Sequence, residues 1–139
     1  MIQRIQTVYL FLVIISVIAF DFIPFGIMSN DGTGHSAVLA VKSLWVFIIA
    51  GGIIGLLAFI TIFLFSNRKL QMKMVLFNIL LSVVLIGLFI YELIHHIGLS
   101  NYQFGIGTIL PIFILLFNGL AYFSIKSDEK LVRSMDRLR

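Results

Sequence analysis

Four apolar runs, at about 5–25, 43–65, 74–94 and 105–125, constrain this chain more than anything else in it. Each approaches the ~20 residues that an α-helix needs to cross a hydrocarbon core about 30 Å thick. With 60% of its residues hydrophobic and 12% charged, the chain has too little polar surface to cover four such runs in water, where about a quarter of residues are charged. Lipid is the solvent that this composition fits. In lipid the backbone must satisfy its own hydrogen bonds, so a run of this length is an α-helix.

The charges then set an orientation. Nine of the ten Lys and Arg residues fall on one side of the four runs: Arg4 before the first, Arg68, Lys69 and Lys73 between the second and third, and Lys126, Lys130, Arg133, Arg137 and Arg139 after the fourth. Lys42 alone lies in a connection on the other side. Short cytoplasmic segments retain Lys and Arg during insertion, so this bias predicts that both termini are cytoplasmic. The net charge of +4 is accounted for by topology and by attraction to anionic headgroups, without a nucleic-acid partner. Ala19-Phe20-Asp21 is a poor cleavage site for a signal peptide, so the first run is expected to stay as a span.

Short connections follow. Residues 26–42 hold the turn-forming cluster Ser29-Asn30-Asp31-Gly32-Thr33-Gly34-His35-Ser36, residues 66–73 make a tight inner link, and residues 95–104 a brief outer one. The expected fold is an all-α membrane protein, an up-down-up-down four-helix transmembrane bundle forming one domain over residues 1–139. Trp45, Tyr91 and Tyr102 fall near the outer boundary and Tyr9 and Tyr122 near the inner one, as an aromatic belt requires. In the tail, 126–139, Leu131, Met135 and Leu138 recur at helical spacing behind Asp128 and Glu129. That pattern predicts a short amphipathic cytoplasmic helix lying on the leaflet.

The opening Met1-Ile2-Gln3-Arg4-Ile5-Gln6-Thr7-Val8-Tyr9-Leu10, the inner Asn67-Arg68-Lys69-Leu70-Gln71, and the tail Asp128-Glu129-Lys130-Leu131-Val132-Arg133-Ser134 with Asp136-Arg137-Leu138-Arg139 carry a resemblance. They resemble a small bacterial family of four-span membrane proteins known as a domain of unknown function. Met135 stands where a small residue is expected. The resemblance implies a full-length, single-domain membrane protein and brings no activity, substrate or catalytic residue with it.

Glu92, His95 and His96 stand at i, i+3 and i+4, on one side of a helix. With Asp21 near the outer end of the first run, and His35 above, they offer an oxygen/nitrogen set suited to zinc, manganese or iron. The competing reading is an interfacial polar cluster facing water: a membrane-centre acid costs about 3 kcal/mol on the insertion scale, less near an interface. Elemental analysis of the purified protein separates the two. Asn78 and Asn118, one to two turns from the inner boundary, are placed to bond across the bundle. Gly51 and Gly55 form a Gly-x-x-x-Gly step that serves either packing within the bundle or a homodimer face. Pro111 is expected to kink the fourth span.

The chain has no cysteine, which removes disulfides, thiol nucleophiles and thiolate metal sites. It has no phosphate-binding glycine loop with its lysine and no H-E-x-x-H helix. The residues therefore favour a non-enzymatic accessory or scaffold subunit whose basic segments meet lipid headgroups, another membrane protein or a second copy. An enzyme or ion-handling protein built on Asp21, Glu92, His95 and His96 is the alternative.

Overall fold

A computed structural model describes residues 3–24, 26–29, 36–39, 45–94 and 102–136. Four helices carry the fold: α1 (Gln3–Phe22), α2 (Trp45–Phe63), α3 (Arg68–Glu92) and α4 (Leu110–Asp136). All four are long and apolar enough to cross a membrane. They pack in a ring in which α1 lies between α2 and α4, and α3 touches the same two neighbours. This is the all-α four-helix bundle expected from the apolar runs.

The interior follows one rule in every helix. Buried positions step by four and then three residues: Gln6, Leu10, Val13, Val17 and Phe20 on α1, and Phe47, Gly51, Ile54, Ala58 and Thr61 on α2. The same steps give Gln71, Val75, Asn78, Ser82, Leu85 and Phe89 on α3, and Ile114, Asn118, Ala121, Ile125 and Asp128 on α4. That 3.5-residue period is the seam of left-handed helix packing. Large apolar side chains such as Phe11, Ile49, Phe77 and Phe123 face outward instead, as they do where the solvent is hydrocarbon.

At one end of the bundle Phe20, Phe47 and Phe89 meet edge-on, with ring centroids 6.1–6.5 Å apart. Above them sits a small antiparallel sheet, β2-β1-β3, formed by β1 (Gly26–Ser29), β2 (Ser36–Leu39) and β3 (Tyr102–Phe104). β1 pairs Gly26 with Leu39 on one side and with Phe104 on the other, so the exit of α1 is tied to the approach of α4. The connections 26–42 and 95–104, in which the sequence shows turn-forming residues and no strand pattern, thus contribute β1, β2 and β3. Pairing in the sheet satisfies the backbone groups of β1, β2 and β3, which the helical ladders do not serve.

Three further details correct the sequence reading. The tail is no separate helix on the leaflet: α4 continues unbroken to Asp136, because no Gly or Pro interrupts residues 120–136 and Asp128 is anchored in the interior. Pro111 makes no kink in mid-span, since α4 begins at Leu110 after a 3₁₀ turn, Ile106–Ile109, and a proline in the first turn has no ladder bond to break. Arg68, Lys69 and Lys73 lie on α3 itself. The link before them shrinks to a 3₁₀ turn, Leu64–Ser66, and Asn67, whose side chain caps α3 by accepting from Leu70 N at 3.3 Å.

The Gly-x-x-x-Gly step packs within the bundle. A Cβ placed on Gly51 would stand 3.3 Å from Asp21 Oδ1 and 3.5 Å from Val17 Cγ1, and one on Gly55 3.5 Å from the same Val17 methyl. Both glycines therefore let α1 approach α2. Gly52 meets nothing. Gly51→Leu is expected to lower stability by about 1–3 kcal/mol through overpacking, whereas Gly52→Leu should stay within about 0.5 kcal/mol of the parent. Reversible unfolding of the purified protein in mixed micelles measures both.

Candidate functional site

The end of the bundle opposite the sheet collects the polar groups. Its framework is a layer of amides and hydroxyls on the buried seam. Asn78 Nδ2 on α3 donates to Asn118 Oδ1 on α4 at 3.1 Å, and Asn118 Nδ2 donates to Ser82 Oγ at 3.2 Å and to Ile114 O at 3.0 Å. Ser82 Oγ donates to Asn78 O at 2.8 Å. Hydrogen bonds of this kind average about 0.6 kcal/mol in membrane proteins and reach about 1.7. They matter here because a buried amide without them would be orphaned.

One layer further along, the polarity rises. Gln6 Nε2 on α1 donates to Asp128 Oδ2 on α4, joining the first helix to the last. Arg68 Nη1 on α3 reaches Asp128 O at 3.4 Å. Gln71 Nε2 donates to Thr61 O at 3.2 Å, tying α3 to α2. Gln6, Gln71 and Asp128 are 5%, 3% and 4% exposed, so these contacts are made in the interior. Two acceptors of the layer, Gln71 Oε1 and Asp128 Oδ1, have no donor among the described residues. Sequence reading passed over Gln6, Gln71 and Asp128. Their seven-residue relation to Asn78 (from Gln71) and their place on the buried steps were the available signal.

Outside this layer lie the cations. Among the described residues, every Lys and Arg belongs to this end: Arg4 on α1, Arg68, Lys69 and Lys73 on α3, and Lys126, Lys130 and Arg133 on α4. Lys69, Lys73, Lys126 and Lys130 are exposed. Lys126 Nζ stands 5.9 Å from the Tyr122 ring centroid, within cation–π reach. Arg137 and Arg139 lie outside the described residues. α4, with 27 residues, is about 40 Å long and so exceeds a hydrocarbon core of about 30 Å. The excess is the basic segment beyond Asp128.

Two grooves open on the flanks of this end. One, of about 810 Å³, runs between α3 and α4, with Met72, Tyr122 and Phe123 as apolar lining and Lys126, Ser127, Glu129, Lys130 and Ser134 at its polar rim, two cations against one carboxylate. The other, of about 580 Å³, lies where α1, α2 and α3 meet. Each sets an apolar wall beside cationic and hydrogen-bonding groups, the form that suits an amphiphile with a phosphate head.

The constellation of Asp21, Glu92, His95 and His96 is placed only in part. Asp21 stands on the last turn of α1 against Gly51, with Oδ1 buried and without a donor among the described residues. Glu92 ends α3 and is half-buried. His35, His95 and His96 lie outside the described residues. Among the described residues no three His, Asp or Glu side chains gather as a metal site would require.

The amide layer makes a sharp expectation. Asn118→Leu should cost about 0.6–2 kcal/mol, and Asn78→Leu a similar amount. The double variant should cost less than the sum, because each single change orphans the other amide. A double-mutant cycle on unfolding in micelles reads the difference, and strict additivity would contradict the pairing.

No curated protein and no solved structure matches this chain. A family model does, over residues 2–138, which takes in all four helices, the sheet and both grooves. The chain thus belongs to the family described as domain of unknown function DUF4293.

Proposed function

We propose that this membrane protein is an accessory or scaffold subunit of a bacterial inner membrane, with both termini cytoplasmic, and that its basic end binds anionic phospholipid headgroups and a membrane partner. The observation that carries the reading is the gathering of every described Lys and Arg at one end, beside a groove that joins Lys126 and Lys130 to Tyr122, Phe123 and Met72. Cations at the cytoplasmic leaflet gain about 1 kcal/mol each from anionic lipid. Aromatic and thioether side chains beneath them give acyl chains a surface. The nine-to-one distribution of basic residues supports the orientation.

The orientation is tested without background, since the chain has no cysteine. Ser36→Cys is expected to react with a membrane-impermeant maleimide added outside spheroplasts, and Ser134→Cys only after lysis. The reverse pattern overturns the assignment.

Removing two cations by Lys126→Gln with Lys130→Gln should lower retention of phosphatidylglycerol on the purified protein by about tenfold or more. Native mass spectrometry reads it. In-cell cross-linking through Lys69, Lys73, Lys126 and Lys130 should capture one recurring membrane protein. Unchanged lipid retention together with no recurrent cross-link would end this reading.

A further inference from the structure

The smaller groove differs from the larger one in its charge. Among the described residues that line it, Arg68 is the only charged one, whereas the larger groove sets Lys126 and Lys130 against Glu129. Phe11 of α1 and Ile62 and Phe63 of α2 form its apolar wall, and Gln6, Arg68 and Gln71 form its polar end. The two glutamine amides turn into the bundle, Gln6 Nε2 to Asp128 Oδ2 and Gln71 Nε2 to Thr61 O. Arg68 is half-buried, and its Nη1 donates to a neutral carbonyl, Asp128 O, at 3.4 Å rather than to a carboxylate. A guanidinium carries five N–H donors, so this one long bond leaves Arg68 its charge and most of its donors. Arg68 also opens α3, where the helix dipole is positive.

The groove orders its chemistry by depth. From Gln6 to Leu12, both in its lining, α1 rises about 9 Å, against about 15 Å for half of a hydrocarbon core. It therefore starts at a cation and runs down an apolar wall within one leaflet. A phospholipid has the matching order, a phosphate and then acyl chains. A guanidinium pairs with phosphate through two parallel N–H bonds. A zwitterionic head adds an ammonium, for which no carboxylate stands among the described lining residues. An anionic head adds none.

We propose that this groove is a second lipid site, separate from the one beside Lys126 and Lys130. It holds one anionic phospholipid, with the phosphate on Arg68 and an acyl chain along Phe11, Ile62 and Phe63. The site goes beyond the basic-face reading above and rests on its premise that this end of the bundle lies at headgroup level.

Native mass spectrometry of the full chain, saturated with phosphatidylglycerol in micelles, counts the sites: two lipids should stay bound. The loss expected on changing Lys126 and Lys130 then falls on one of the two. Arg68→Gln should lower retention of the other by about tenfold, the scale of one charge-assisted hydrogen bond. Val8→Trp, at an exposed position in the groove's lining, should do the same by filling it while Arg68 stays. In the Lys126→Gln, Lys130→Gln chain, which keeps this site alone, phosphatidylglycerol should be retained over phosphatidylcholine by about tenfold. The proposal is overturned if Arg68→Gln loses no lipid, if the lipid that it loses survives Val8→Trp, or if that chain retains the two lipids equally. Loss on the lysine changes alone ends this site and leaves the basic-face reading standing. Loss on Arg68→Gln and Val8→Trp alone keeps this site and ends the one given to Lys126 and Lys130. Unchanged retention in every variant ends both.

Discussion

A hydrocarbon solvent gives a side chain no hydrogen-bond partner, and the arrangement of the four helices follows from that constraint. Between helices in lipid there is little hydrophobic drive, because the tails are as apolar as leucine. Which face turns inward is decided by the groups that lipid cannot serve. Gln6, Thr61, Gln71, Asn78, Ser82, Asn118 and Asp128 all lie inside, and their bonds link α1 to α4, α2 to α3 and α3 to α4. Three of the four sides of the ring are thus closed by polar contacts.

The fourth side, α1 against α2, is closed differently. There Gly51 and Gly55 remove side chains and Val17 fills the space, so dispersion contacts between closely spaced backbones replace hydrogen bonds. Gly51 sits in the half of α2 near the sheet and Gly55 at its middle. Towards the other end the same pair of helices presents Phe11, Ile62 and Phe63 at a groove. Close approach at one end and bulk at the other leave the opening on the polar side, where the hydrogen-bonding groups are.

Four spans could be read directly from the chain because hydropathy is a strong signal over twenty residues. The seam could not be read the same way. In a water-soluble bundle the apolar residues mark the buried steps of four and three, but here nearly every position is apolar and the contrast inverts. Asn78 and Asn118 stood out as amides in apolar runs. Gln6, Gln71 and Asp128 did not, because they lie at run ends, where a polar residue looks like the start of a loop. The same ambiguity split the tail from α4: Lys126 and Asp128 mark the end of an apolar run, yet Asp128 occupies the next buried step after Ile125. The sheet was hidden for another reason. Its strands are three or four residues long and β1 pairs with a distant β3, a contact that local periodicity does not encode.

Helix length connects this interior to the basic face. α1 and α2, at 20 and 19 residues, are each about as long as the hydrocarbon is thick. α3 and α4, at 25 and 27 residues, are longer. The Gln6–Asp128 contact fixes where the excess of α4 emerges, since it sets Asp128 level with the start of α1. Lys130 and Arg133 then stand beyond that level, and the first turns of α3 carry Arg68, Lys69 and Lys73 beside them. A bundle of four equal helices would have placed these cations in loops, free to reorient. Here the helical backbone holds them in fixed register beside apolar walls, so the basic residues gathered at this end also rim its grooves.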